Sequence, residues 1–123
     1  MELSCYPWLL LMKSQLKQAD ILFSKYIRNR DKRCRRCNST EYLQCAHVIS
    51  RSYHQVRHDK KNAVALCRAC HVYFTHHPLE WYDWANEELG RGKYSDLKEK
   101  AQQYHNKIDY KGIIEFLRQA IPK

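Results

Sequence analysis

A chain of 123 residues, 44% apolar and 28% charged, is large enough to bury a core without disulfides, and no Gly/Ser/Pro-rich linker or repeat divides it, so one folded domain over residues 1–123 is expected and extended disorder is excluded. The first apolar run, Trp8 to Met12, follows Glu2 rather than a basic region and is far short of the roughly 20 residues that cross a bilayer, which argues against a membrane span or a signal peptide. The net charge of +9 points instead toward an acidic partner.

Between Ser14 and Arg30 the apolar residues Leu16, Ile21, Leu22, Tyr26 and Ile27 recur at helical spacing, so residues 1–30 form an N-terminal helical segment. Tyr42 to Ile49 is aromatic and β-branched and reads as a strand, Ala63 to Leu66 as a second, with a polar loop from Ser50 to Asn62 between them. After Cys70 a short helix is expected to run until Pro78, because the residue before a proline is pushed out of helical geometry; this turns Phe74 inward and leaves His77 at a chain turn. Residues 79–123 read as C-terminal helices. The first carries Trp81, Trp84, Ala85 and Leu89 and stops at Gly90 and Gly92; a second is capped by Ser95 and runs to about His105; a third, capped by Asp109, runs to about Ala120 with Ile113, Ile114, Leu117 and Ile121 inward. The expected class is α+β, a small hairpin-plus-helix core over residues 31–78 surrounded by helical segments.

Cys34-Arg-Arg-Cys37 and Cys67-Arg-Ala-Cys70 are two C-x-x-C pairs separated by 29 residues. Each turn presents two thiolates, and together they complete a tetrahedral Cys₄ site for a structural Zn²⁺. No βαβ unit accompanies them to support a redox pair. Paired cysteines of this kind imply a reducing, cytoplasmic compartment, and Cys5 and Cys45 are expected in the core. A closed zinc site has no open coordination position, so catalysis must come from other residues.

Those residues stand between and beside the pairs: Cys45-Ala46-His47-Val48-Ile49-Ser50-Arg51, then Arg57-His58-Asp59-Lys60-Lys61-Asn62, then Leu66-Cys67-Arg68-Ala69-Cys70-His71. Over residues 30–84 or so, this order resembles the HNH (ββα-metal) endonucleases, in a zinc-containing phage-type branch similar to NinG-like recombination nucleases. The resemblance implies a ββα-metal core, DNA as substrate, and, if the chain is phage-encoded, the bacterial host as its compartment. It makes His47 the general base toward water, Asn62 the residue that holds the loop, and His71 a ligand of a catalytic Mg²⁺ or Mn²⁺. Phosphodiester hydrolysis needs a base active near neutral pH and a cation to neutralise phosphate charge, which an imidazole and one divalent metal supply. Many members carry Asp or His just before the base as a second ligand; here Ala46 binds nothing. His76 and His77 are the nearest replacements, His77 the easier because it precedes Pro78, and Asp59 is an acidic alternative read mainly as a loop brace. His54, His58 and His105 are read as structural hydrogen-bonders.

The charge is unevenly spread. Residues 1–29 carry four Lys/Arg against two acids, 30–77 ten against three, and 78–123 eight against eight. Arg35, Arg36, Arg51, Arg57, Lys60, Lys61 and Arg68 therefore form a phosphate-binding group close in sequence to the motif, Arg51 or Arg57 with an added role in the transition state. Tyr73, Phe74, Trp81, Tyr82 and Trp84 are expected in the core rather than stacked on bases. A homodimer stays open as an assembly, and with it whether the product is a nick or a double-strand break. Two rival readings are a non-catalytic zinc-dependent nucleic-acid-binding module and a zinc-scaffolded protein-interaction domain, the second of which leaves His47, Asn62 and His71 unexplained.

Overall fold

The computed structural model describes residues 7–103 and 107–122, with side chains from Leu10 onward; Cys5 and His105 lie outside the described residues. Helix α1 spans Pro7–Asp31, starting well before Ser14, with proline at its first position, where its fixed φ suits a helix and its missing N–H is not needed. The buried stripe is Ala19, Phe23 and Ile27, with Leu22 and Tyr26 beside it. Ile21, expected inward, is exposed because it lies about 200° around the cylinder from Ala19.

Strands β1 (Leu43–His47) and β2 (Ala63–Cys67) pair antiparallel, Leu43 opposite Cys67 and His47 opposite Ala63. Both differ from expectation at their ends. Tyr42 has φ +54° and leaves the pleat before pairing starts. Val48 and Ile49 turn from the ladder to Asn62, whose backbone and side-chain oxygens accept their N–H groups at 2.8 and 2.7 Å. All five residues of β2 are buried because the hairpin has a helical layer on each face. Cys45, Ala63 and Ala65 pack with Phe23, Ile27 and Leu117, while Ala46, Val64 and Leu66 pack with Phe74, Trp81 and Trp84. Strand alternation explains this two-sided burial, and the alanines let α1 lie close.

Helix α2 spans Arg68–His76, beginning at the second Cys pair rather than after it: Cys67 is its N-cap, and its Sγ accepts the Cys70 N–H at 3.4 Å. Helix α3 follows at Pro78–Leu89, and α4 at Lys93–Ala101. Ser95 is inside α4, not its cap, because Gly90 (φ +91°) and Gly92 (φ +82°) reverse the chain so tightly that the helix restarts at once. Helix α5 spans Tyr110–Ala120 with Asp109 accepting the Gly112 N–H at its start, and buries Ile114 and Leu117. A third cluster of Ile49, Val56 and Leu97 seats the 48–59 loop on α4. No described helix is long and apolar enough to cross a membrane.

Candidate functional site

The two knuckles meet. Cys34, Cys37, Cys67 and Cys70 place their four Sγ atoms within 4.8 Å of one another, the one such metal-sized group among the described residues, with Cys37 and Cys67 3.6 Å apart. Tetrahedral thiolates at Zn–S of about 2.3 Å stand roughly 3.8 Å apart, so the donors fit one zinc. The four thiols are not alike: burial opposes ionisation of Cys34, but the N–H groups of Cys67, Cys37 and Arg36 bring it down to about 7, whereas burial pushes Cys70 up to about 12. Arg36 offsets part of that burial, donating to Cys70 Sγ at 3.7 Å while its guanidinium lies over the Tyr73 ring, 4.3 Å from the centroid.

Beside the knuckles, the face of the hairpin toward α1 opens into a cleft of about 650 Å³, lined among others by Asp20, Arg28, Gln44, His47, Arg51 and His71. A second depression, of about 450 Å³, lies toward α2 and α3, and the same two histidines border it as well. His47 ends β1, and its Nε2 lies 2.9 Å from the Arg57 carbonyl oxygen. A carbonyl only accepts, so Nε2 carries the proton and Nδ1 keeps the lone pair. Burial, offset in part by that hydrogen bond and reinforced by the charge of Arg51, pushes His47 down to about 4, so the ring is neutral at neutral pH. His71, one turn into α2, lies with Nδ1 2.7 Å from Gln44 Oε1. Nδ1–H donates, and the free lone pair belongs to Nε2; burial lowers the pKa of this ring too. Two neutral imidazoles thus border one cleft, each with one nitrogen fixed by an oxygen and the other open as a base or ligand.

Residues 34–76 match the HNH endonuclease family model. Comparison with curated proteins and with solved structures gives no match. The HNH segment therefore holds the hairpin, both knuckles and both cleft imidazoles, while the cleft wall formed by α1 lies outside it. An HNH match points to nuclease chemistry, and so to nucleic acid as the partner.

Asn62 is completely buried in the HNH segment. Its Oδ1 accepts from Ile49 N at 2.7 Å, and its Nδ2 donates to Ile49 O and Val56 O, both at 3.0 Å. The side chain thereby closes the loop that carries Arg51 and Arg57. His77 is not brought to His71: its Nδ1 donates to Tyr73 O at 2.7 Å, its ring stacks on Tyr73, and it lines neither depression. Six residues along a helix axis are about 9 Å, which separates the two rings. Asp59 caps the 3₁₀ turn Lys60–Asn62 and pairs with Lys100 at 2.7 Å. Ala46 is 2% exposed, and no other His, Asp, Glu or Cys joins His71 in a metal-sized group among the described residues.

The basic group divides. Arg57 is held by Asp20 through two contacts, Nε to Oδ1 at 2.9 Å and Nη2 to Oδ2 at 2.6 Å. Arg35 pairs with Asp31 and Glu88, and Arg36 is committed to Cys70 and Tyr73. These three are braces in the structure. Arg51, Lys60, Lys61 and Arg68 are exposed. Sequence reasoning missed Asp20, Arg28 and Gln44 as site residues. Asp20 carried a signal: it is an acid three residues before Phe23, at the edge of an apolar helical stripe where an unpaired carboxylate is costly. Gln44 and Arg28 carried none, since their positions depend on which helix crosses which face.

Proposed function

We propose that this chain is a metal-dependent endonuclease that hydrolyses phosphodiester bonds in DNA, with His47 as general base and His71 as a ligand of the catalytic cation. The observation that carries the reading is the pair of neutral imidazoles on one cleft, His47 free at Nδ1 and His71 free at Nε2. In hydrolysis His47 Nδ1 takes a proton from water as its oxygen bonds to phosphorus, the bond to the leaving sugar oxygen breaks, and solvent protonates that oxygen. A divalent cation, when bound, neutralises charge on the phosphate and the leaving oxygen. His71 Nε2 would be one donor for it, with Gln44 fixing the ring, and Ala46 supplies none, so the remaining donors would have to come from outside the protein's side chains, as Mg²⁺ commonly allows. Arg28 and Arg51 flank the two rings and hold the strand through phosphate, and Lys60, Lys61 and Arg68 extend the basic surface. The resemblance to NinG-like nucleases supports a place in phage DNA recombination or processing.

The test incubates zinc-loaded protein with plasmid and branched DNA plus Mg²⁺ or Mn²⁺, beside His47→Ala and His71→Ala. Cleavage lost in both variants with DNA binding retained is the expected result. Equal inactivity of wild type and variants, with binding intact, would instead support a non-catalytic zinc-dependent binding module, the reading that the lone His71 donor and Ala46 favour.

A further inference from the structure

The carbonyl that orients His47 belongs to Arg57, and the Arg57 side chain is held from outside the HNH segment. We propose that Asp20 of α1 is a positioning residue for His47: by clamping Arg57 and His58 it fixes the loop carbonyl that sets the tautomer and plane of the His47 ring. This rests on the reading of His47 as the base.

Three donors converge on the one carboxylate. Arg57 Nε and His58 Nε2 reach Oδ1 at 2.9 and 2.8 Å, and Arg57 Nη2 reaches Oδ2 at 2.6 Å. Arg57 Nη1 also donates to Arg51 O at 3.2 Å, so the side chain that Asp20 holds reaches the backbone of the loop at Arg51 as well. Phe23, almost one turn further along α1, touches both imidazoles, its ring 5.6 Å from His47 and 5.7 Å from His58. Asp20 thus grips the loop while Phe23 packs on the ring that the loop aims. With a guanidinium among its donors the carboxylate is a poor cation ligand, although it lines the cleft; a brace is the role that its contacts leave.

His58 argues the same way. Its side chain is 2% exposed, and its Nδ1 is buried with no hydrogen-bond partner among the described residues. An unsatisfied buried nitrogen is destabilising, and an apolar side chain between Phe23 and Tyr110, which both contact this ring, would avoid it. What the imidazole adds is the Nε2–H donor to Asp20. A buried polar cost of this kind is a mark of a site arranged for function.

The test is Asp20→Asn, which keeps size and removes charge, in zinc-loaded, ¹⁵N-labelled protein. Long-range ¹H–¹⁵N correlation spectra should show His47 wholly as the Nε2–H tautomer in wild type and as a mixture in Asp20→Asn. The variant's kcat for DNA should fall about tenfold or more, as for other outer partners of catalytic imidazoles, with KM little changed. In a His47→Ala background the same substitution should cost nothing further. An unchanged His47 tautomer in folded Asp20→Asn overturns the proposal, as does a loss of rate that persists without His47. If Asp20→Asn does not fold, Arg57→Lys, which keeps the charge pair and loses the fork, is read by the same spectra. If wild type cuts no DNA, the nuclease reading fails while the tautomer measurement still decides the role of Asp20.

Discussion

Replacing Asn62 by alanine removes a fully buried side chain that ties Ile49, just past β1, to Val56 in the middle of the loop. It leaves the Ile49 N–H and the Ile49 carbonyl without their partner, while the Val56 carbonyl loses one of its two donors and keeps the Asp59 N–H at 3.1 Å; the place has no water contact, since Asn62 is 0% exposed. Each of the two stranded groups costs about 1 kcal/mol or more, and the vacated volume adds about 1 kcal/mol, so the loss should be about 3–4 kcal/mol. That is a large part of the total of about 5–15 kcal/mol typical of a folded domain, and it corresponds to a fall in Tm of roughly 10–20 °C. Denaturant titration and calorimetry of zinc-loaded protein measure it. Asn62→Asp is the control for volume: it keeps an acceptor for Ile49 N but turns an oxygen toward two carbonyls, and should be destabilised to a similar degree. A loss below about 1 kcal/mol in the alanine variant, or an aspartate variant as stable as wild type, would refute the reasoning.

Zinc should be a folding ligand: Cys67→Ser or a strong chelator should release the metal and unfold the hairpin together with α2, measured by metal content and circular dichroism, because metal binding in such sites is folding free energy. Stability should fall as pH drops from about 6.5 toward about 4, since an unfolded histidine takes up a proton near 6.5 and folded His47 does so only at about 4; buried His58, also lowered, adds the same sign, and His47→Gln should flatten this part of the profile. For the same reason the acid limb of kcat/KM should lie nearer 4 than 6.5. Arg28→Ala and Arg51→Ala should each weaken DNA binding similarly across sequences and reduce the slope of log affinity against log salt by about 1, checked by fluorescence anisotropy over a salt series; unchanged slopes would remove these two from the phosphate contacts.

Much of the fold was legible where the signal is local. The aromatic and β-branched run from Tyr42 to Ile49 and the apolar run from Ala63 read as a hairpin, the Cys spacing dictates two turns of thiolates, and Asp109 stands where a cap must be, three residues before the Gly112 N–H that it accepts. Element ends were less legible because they are set by partners far along the chain. Val48 and Ile49 have strand-forming side chains yet leave the ladder because Asn62, more than a dozen residues later, captures their N–H groups. The site follows the same division. His47 and His71, expected from the resemblance to the HNH pattern, border one cleft. His77 lies against Tyr73 rather than beside His71, because nearness in sequence does not carry a ring back along a helix. The partners that set each tautomer, Arg57 O and Gln44 Oε1, and the grip of Asp20 on a loop 37 residues away follow from tertiary packing and from no short motif.

The central claim, that His47 and His71 share one reacting phosphate, is tested most directly by anomalous scattering from crystals of a DNA complex soaked in Mn²⁺. The account predicts a manganese peak at His71 Nε2, shared with an oxygen of a phosphate that His47 Nδ1 faces, alongside a separate zinc peak among the four cysteines. Metal at the cysteines alone, with the phosphate seated elsewhere or His47 Nδ1 turned into the protein, would contradict it.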